Sequence, residues 1–462
     1  MPGGPAGLIF GSAAALAVLV WTLAAMTTHP KFLSDRHNLA AVAFFAGCAQ
    51  PIAVTLLSAR QQSILGAAST NSPAATLAGE FFNAIVVVAW IVILVQRHRT
   101  TSTGGVLAGL WALAAARLIS DALATEHSLP KDTLVIAAVA SAIHMAQVDR
   151  ATFVGWARAI TRVILMGSLA SIALSPSWAF IGEGADGYDR TVFGLPRLSG
   201  LAPHPGSLSL VAVLAVLIEV GAPTNNRRAR GAGLAAAGAC LILSQSNTGW
   251  IGTLVALLVL AAARSRAVRV LSFATFTASL AALVALPGLT QIDWTHGSNY
   301  IATVSGRTPI WQLAIDEFQR HPISGYGPTF LDPTYRGIYV PQSLQYASEG
   351  HNQFFQTLGE NGLIGVLALG LISLASLAVA WRNRRADRGL TLAIVVAAAV
   401  WSLTGTPIYP SGLILIPLLL FGMIVTRPAE TQTIQDDYLT NAVDEPVVES
   451  GSVRAFRGLP DI

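Results

Sequence analysis

The chain has 462 residues, of which 53% are hydrophobic and only 11% are charged. A soluble domain usually carries about 25% charged residues, so this composition excludes an ordinary soluble enzyme and predicts a polytopic membrane protein. The formal net charge of +4 is small, and no nucleic-acid partner is expected. Cys48 and Cys240 both lie in apolar runs, which predicts buried free thiols and no disulfide.

Long apolar runs recur along the chain. About 20 apolar residues can cross the hydrocarbon core of a bilayer, so the fold class predicted is an all-α, polytopic membrane bundle of about 12–13 transmembrane helices. The candidate spans are 8–27, 39–58, 80–96, 104–123, 133–148, 163–181, 206–221, 231–245, 249–264, 268–286, 362–381, 390–406 and 408–426. They predict one transmembrane catalytic domain over 1–426, and the polar tail 427–462 is predicted to be disordered and cytoplasmic.

Arginines predict the orientation of these spans, because cytoplasmic loops carry an excess of basic residues. They cluster in alternate connections, at Arg97 and Arg99, Arg150 and Arg158, Arg227 to Arg230, Arg264 to Arg269, and Arg382 to Arg388. The segments 59–79, 124–132, 182–205 and 287–361 are then predicted to face outside. The chain is expected in the cytoplasmic (inner) membrane of a bacterium, with its C-terminus in the cytoplasm.

The outer segment 287–361 is too long for a simple connection. Thr308 can cap a helix, and Pro309 suits its first turn. The apolar side chains that follow at helical spacing are Ile310, Trp311, Ala314, Ile315 and Phe318, and the polar residues predicted to face the other way are Asp316, Glu317 and Gln319. The spacing therefore predicts an amphipathic helix on the membrane surface or over the bundle.

Three motifs occur between residues 196 and 365. The first, at 196–206, contains an arginine, a glycine and His-Pro just before a span. The second, at 305–327, reads Ser-Gly-Arg, then Trp, then His-Pro, then Gly-Tyr-Gly. The third, at 350–365, contains His-Asn-Gln-Phe-Phe followed by Glu-Asn-Gly-Leu-Ile-Gly at the mouth of a span.

These motifs, in this order, resemble the signature of the O-antigen ligase and O-antigen polymerase superfamily. The resemblance covers about 200–426. It implies a membrane glycosyltransferase that moves a glycan from a polyprenyl-diphosphate carrier to a hydroxyl on a glycan or lipid acceptor. Transfer would be inverting and metal-independent, with no cofactor. The chain departs from the family near 244–249, where members often carry a basic residue and this sequence has Asn247.

The resemblance also implies roles for individual residues. His351 would accept a proton from the acceptor hydroxyl, or it could simply cap the following helix. Arg197 and Arg307 would bind the donor diphosphate, since a guanidinium group matches phosphate oxygens; the alternative is contact with lipid headgroups. Arg117, inside a predicted span, is a further candidate phosphate ligand, or its side chain could extend to the membrane surface.

Other polar residues have ordinary explanations. Glu360 follows His351 by nine residues, which places it on the opposite face of a helix, so we expect a structural role near the Asn361-Gly362 break. His204 and His321, each before a proline, are expected to shape turns. Tyrosines of the outer segment could stack on sugar rings or form an interfacial belt: Tyr326, Tyr335, Tyr339 and Tyr346. Three outer carboxylates could hold a cation, but no metal site is predicted: Glu183, Asp186 and Asp189.

Two other classes of function stay open at this point. A transporter for a polar solute should have paired polar groups near the middle of the bilayer and repeat-related broken helices. Arg117 and His144 are the candidates for such groups, and the sequence contains no visible repeat. A non-enzymatic assembly partner would not need its outer arginines.

Overall fold

The computed structural model describes residues 35–58, 72–96, 104–181, 196–263, parts of 265–278, 307–341, 347–408 and 414–426. Within these ranges the helices are α1 (Arg36–Leu57), α2 (Pro73–Val95), α3 (Gly105–Leu123), α4 (Lys131–Met145), α5 (Arg150–Leu174), α6 (Pro176–Ala179), α7 (Pro205–Gly221), α8 (Arg227–Leu243), α9 (Asn247–Ala262), α10 (Thr308–Arg320), α11 (Pro333–Tyr339), α12 (Gln353–Asn383), α13 (Leu390–Ser402) and α14 (Leu415–Val425). The β structure of this part is one antiparallel pair, β1 (Phe180–Ile181) with β2 (Arg197–Leu198).

The predicted all-α membrane bundle is confirmed. Helices α1, α2, α3, α5 and α12 are long and apolar enough to cross a membrane, and α7, α9, α13 and α14 are shorter apolar helices. Exposed leucines on α12 follow one helical face, as expected for a surface in contact with lipid: Leu363, Leu367, Leu371 and Leu374. The predicted span 8–27 and the tail 427–462 lie outside the described residues, and 268–286 lies largely outside them.

Helix α5 begins earlier than predicted. We expected a span at 163–181 after an arginine-bearing loop, but α5 starts at Arg150 behind an Asp149 cap. Arg150 donates from Nη1 to Asp387 Oδ2 over 2.7 Å, and Arg162 lies 2.7 Å from a carboxylate oxygen of Glu219. Because these cations have acidic partners on other segments, they can sit within the helix and need not lie in a loop.

Helix α12 is broken at Gly362, whose φ of 56° and ψ of −147° suit glycine. The segment 321–327 supplies the hydrogen bonds that the break interrupts. The amides of Tyr326 and Gly327 donate to the carbonyls of Gly359 and Glu360 over 2.8 and 2.9 Å. In return, the amides after the break donate to the carbonyls of Pro322 and Ile323. The residues 353–361 therefore form a separate, largely buried short helix that precedes the membrane-spanning part of α12.

The predicted amphipathic helix is α10, and it packs against α12, over the bundle. Ile310, Trp311 and Ala314 are buried as expected. Two details of the prediction are wrong. Arg307 takes the cap position assigned to Thr308. Glu317 is buried, because it lies on the face of Ala314, where the Tyr335 hydroxyl donates to its carboxylate over 3.0 Å and Arg320 pairs with it over 2.7 Å.

The two ends of the bundle differ in their polar contacts. At one end, which we call the Arg150 end, Arg150 links α5 to Asp387 and to the carbonyl of Thr426, which lies 3.0 Å from Nη2. Helices α4 and α12 begin at the opposite end, which carries His351, and we call it the His351 end. The alternating arginines predict that the Arg150 end is cytoplasmic and the His351 end is outside.

Cysteine labelling tests this orientation. Thr334 at the His351 end and Ala386 at the Arg150 end are both exposed, whereas the native Cys48 and Cys240 are buried. In intact cells, a membrane-impermeant maleimide should label Thr334→Cys but not Ala386→Cys. Both variants should react after permeabilisation. Labelling of Ala386→Cys alone in intact cells would show that the orientation is the opposite of the predicted one, with His351 on the cytoplasmic side.

Candidate active site

The backbone at His351 is held in an unusual conformation. Its φ is +46°, in the left-handed region that is disfavoured for a side chain with a Cβ atom. The preceding Gly350 is fixed on both sides, because its amide donates to Gln356 Oε1 over 2.5 Å and its carbonyl accepts from Trp311 Nε1 over 2.9 Å. The Trp311 ring stacks on Phe355 with 5.0 Å between ring centroids.

Asn352 caps the helix that follows. Its Oδ1 accepts hydrogen bonds from the amides of Phe354 and Phe355 at 2.9 and 3.3 Å, and the residue is fully buried. Its Nδ2 donates to the carbonyl of Leu403 over 3.3 Å. Asn352, and not His351, therefore performs the capping role that was the structural alternative for the histidine.

Glu349 is the partner of His351. The Nδ1 atom of His351 lies 3.0 Å from Glu349 Oε1, and the two side chains are 29% and 21% exposed. The other carboxylate oxygen, Oε2, accepts from the Thr406 hydroxyl over 2.6 Å. An ionised carboxylate only accepts hydrogen bonds, so the contact favours a proton on Nδ1 and a lone pair on Nε2. Sequence reasoning missed Glu349, because its contact with His351 depends on how the backbone bends around 348–352.

Arg197 reaches the turn that joins α8 to α9. From β2, its Nε donates to the carbonyl of Ser244 over 3.1 Å. The same turn leads to Thr248, whose hydroxyl lies 2.7 Å from that of Thr404. The segment 404–406 thus touches Thr248 on one side and, through Thr406, Glu349 on the other. These contacts connect the turn that Arg197 contacts to Glu349, the partner of His351.

Arg307 lies at the start of α10. It is the N-cap residue of that helix, and its carbonyl accepts from the amides of Ile310 and Trp311. One helical turn later, Trp311 contacts Gly350, the neighbour of His351. The long outer segment is thereby anchored at the histidine.

Arg117 has a different environment. Its Nη2 lies 3.0 Å from Glu360 Oε2, and its Nη1 donates to the Thr133 hydroxyl over 2.6 Å. The two charged side chains are only 10% and 6% exposed. We predicted a phosphate ligand or a side chain that extends to the membrane surface, and the structure instead pairs this cation with a buried carboxylate. Glu360, for which we expected a structural role, is the carboxylate of this ion pair and also accepts from Gln356 Nε2.

Residues 232–370 match the family described as O-antigen ligase. The match covers 139 of the 462 residues, and this part of the chain is similar to O-antigen ligases. The matched segment includes Arg307, Glu349, His351 and Glu360, whereas Arg117 and Arg197 precede it. No curated protein matches the chain.

The remaining polar residues singled out in the sequence also have structural contacts. His204 caps α7, because its Nδ1 accepts from the amide of Gly206 over 3.0 Å. Tyr326, Tyr335 and Tyr339 pack on one another with centroid distances of 4.7, 5.0 and 5.9 Å. Burial raises the pKa of Tyr326 to about 12, and burial and then Glu317 raise the pKa of Tyr335 further. Both therefore stay protonated hydroxyls at neutral pH.

Metal-ligating side chains do not cluster in the part of the chain that the structure describes. No group of three or more His, Cys, Asp or Glu residues there could hold a metal ion. The carboxylates Glu183, Asp186 and Asp189 lie outside the described residues.

The glycine at the α12 break offers a test of how residues 353–361 are positioned. A Cβ atom at Gly362 would lie 2.7 Å from backbone atoms of Gly325 and Ile323, and its φ is positive. Gly362→Ala should lower stability by about 1–3 kcal/mol from backbone strain alone. Gly370→Ala in the same helix meets nothing within 4 Å and is the matched control. Thermal unfolding of both variants in detergent is the measurement, and equal midpoints would show that the break tolerates a side chain.

Proposed function

We propose that this protein transfers a glycan from a polyprenyl-diphosphate carrier to a hydroxyl group of a glycan or lipid acceptor, on the outer face of the cytoplasmic membrane of a bacterium. The match of residues 232–370 to the O-antigen ligase family supports glycosyl transfer of this type. The donor, the acceptor and the side of the membrane are further parts of the proposal. The observation that carries it is the His351–Glu349 contact of 3.0 Å within the matched segment.

In the proposed step, the acceptor oxygen attacks the anomeric carbon as the bond from that carbon to the diphosphate oxygen breaks. The acceptor proton passes to Nε2 of His351, and the diphosphate leaves with the bonding electrons. Glu349 holds Nδ1–H and stabilises the imidazolium that forms, as a carboxylate does for an imidazole base. A single displacement of this kind inverts the anomeric carbon.

Arg197 and Arg307 are the proposed diphosphate ligands. Leaving-group charge grows during the step, and planar guanidinium groups can stabilise it with charge-assisted hydrogen bonds, so the proposed chemistry requires no metal ion. Arg197 donates to the 244–248 turn. It is therefore our candidate for the charge that other family members carry in this turn and that Asn247 does not supply.

Arg117 is no longer a candidate ligand in this scheme. Its guanidinium group already faces Glu360 and Thr133 within a buried environment. Breaking that contact to bind phosphate would leave a buried carboxylate without its cation, which is costly.

The findings give no support to the transporter alternative. Arg117 pairs with Glu360 near the His351 end, and His144 lies in the last turn of α4, close to the Arg150 end. Neither position suits a polar group in the middle of the bilayer. A non-enzymatic partner would have no use for an oriented histidine, so this alternative makes a different prediction for the assay below.

Alanine variants test the proposed roles. His351→Ala should lower the transfer rate about 10²–10⁴-fold, the usual contribution of a general base. Arg197→Ala and Arg307→Ala should each lose tenfold or more, since one lost charge-assisted hydrogen bond at about 1.5–3 kcal/mol corresponds to one to two decades. The measurement is the release of free polyprenyl diphosphate from a lipid-linked glycan, normalised to folded protein.

The exposed residues His127 and Arg385 provide matched controls. His127→Ala and Arg385→Ala should keep native rates. Solute flux without release of polyprenyl diphosphate would favour the transporter. Native transfer rates in His351→Ala, Arg197→Ala and Arg307→Ala would refute the proposed mechanism.

Glu349→Gln tests the orienting carboxylate separately. The amide can still accept a hydrogen bond from Nδ1–H, but it cannot stabilise the imidazolium, so the rate should fall about tenfold or more while substrate binding is retained. Thr406→Val, which removes only the hydroxyl that donates to Glu349, should have a smaller effect. Steady-state kinetics with the same assay distinguish kcat from KM. A Glu349→Gln variant with native kcat would show that His351 acts without this partner.

A further inference from the structure

A continuous set of hydrogen bonds runs from the buried ion pair to the backbone next to His351. Arg117 contacts Glu360 Oε2 over 3.0 Å, and Glu360 Oε1 accepts from Gln356 Nε2 over 2.5 Å. Gln356 Oε1 in turn accepts from the amide of Gly350 over 2.5 Å. Gln356 and Glu360 are 5% and 4% exposed, so little water competes for these bonds.

The direction of the Gln356 amide follows from its two partners. An ionised carboxylate can only accept, so the NH₂ group of Gln356 must face Glu360. The backbone amide of Gly350 can only donate, so the oxygen of Gln356 must face it. A single glutamine orientation therefore satisfies both neighbours, and an ionised Glu360 excludes the flipped one.

Arg117 stabilises the negative charge of Glu360. A carboxylate buried beside a span is disfavoured unless a cation lies in contact with it. A protonated Glu360 could donate as well as accept, so it would no longer exclude the flipped orientation of the Gln356 amide. The Gln356 amide could then turn over, and the Gly350 amide would face an NH₂ group.

Support of Gly350 matters because the next residue has a disfavoured backbone. His351 has a φ of +46°, and such a conformation persists only where the surrounding contacts impose it. The Gly350 carbonyl is held by Trp311 and its amide by Gln356. Loss of either contact allows the histidine to relax away from Glu349.

We propose that Arg117 and Glu360 are positioning residues, which act through the Gln356 amide on the backbone of Gly350 and so fix the geometry of His351. The effect on transfer rests on the proposed function of His351 as the base. The hydrogen-bonded support of Gly350 does not, so the two can be tested apart.

Gln356→Met is the decisive variant, because it removes both amide hydrogen bonds and leaves the Arg117–Glu360 pair intact. Hydrogen–deuterium exchange of the full chain in detergent, followed by mass spectrometry, should show at least tenfold faster exchange of the Gly350 amide in a peptide covering 347–353. The matched control is Gln312→Met on α10. That exposed glutamine makes a similar bond of 2.9 Å to Asp316, four residues later, and its loss should not alter exchange at 347–353.

Glu360→Gln tests the charge with little change in shape. Its amide can donate as well as accept, so Gln356 loses its fixed direction and exchange at 347–353 should again rise. In the transfer assay, Gln356→Met should lower kcat about tenfold and leave KM nearly unchanged, whereas Gln312→Met keeps native kinetics. A purely structural role of Gln356 would alter the unfolding midpoint and not kcat per folded molecule.

Two results would overturn the proposal. One is unchanged exchange at 347–353 in both Gln356→Met and Glu360→Gln. The other is native kcat in Gln356→Met while His351→Ala is inactive. Native transfer in His351→Ala together with faster exchange in Gln356→Met would instead overturn the catalytic role of His351, and the support of Gly350 would stand.

Discussion

The buried contact between Arg117 and Glu360 constrains the whole His351 end of the molecule. A charge beside the hydrocarbon core needs an opposite charge in contact, so α3 and the first part of α12 must approach closely. Gly109 allows this approach, because a Cβ atom there would lie 2.9 Å from the backbone of Ile372. The ion pair and the small residue together determine how α12 enters the bundle, and α12 begins two residues after His351.

The break at Gly362 is subject to a second constraint that the membrane imposes on backbone hydrogen bonding. Backbone groups near the hydrocarbon core must find partners within the protein, and an interrupted helix leaves several without them. The segment 321–327 provides those partners, and its Gly325 and Gly327 adopt positive φ angles to fit. The same segment follows α10, so residues 308–327 both support the break and carry Trp311, which donates to the Gly350 carbonyl.

Much of the fold was predictable because the length and hydropathy of a span are local properties. The motif around His351 could also be recognised from the sequence, since it consists of consecutive residues. Glu349, Gln356 and the Arg197 contact with Ser244 were missed because they depend on which segments meet in space. The start of α5 was misplaced for a related reason: Arg150 has the distant Asp387 as its partner. Burial of Glu317 likewise depends on Tyr335, 18 residues away.

The family match begins at residue 232, yet the proposed site uses residues that precede it. Arg117 and Thr133 belong to α3 and α4, and Arg197 to β2. A buried ion pair is often no more stabilising than apolar residues of the same size. A gain in stability alone therefore does not explain why Arg117 and Glu360 occupy these positions. An apolar pair could not accept a hydrogen bond from the Gln356 NH₂ group, whereas the Glu360 carboxylate does so and favours the orientation that Gly350 also requires. This orientation connects the first half of the chain to the histidine in the second.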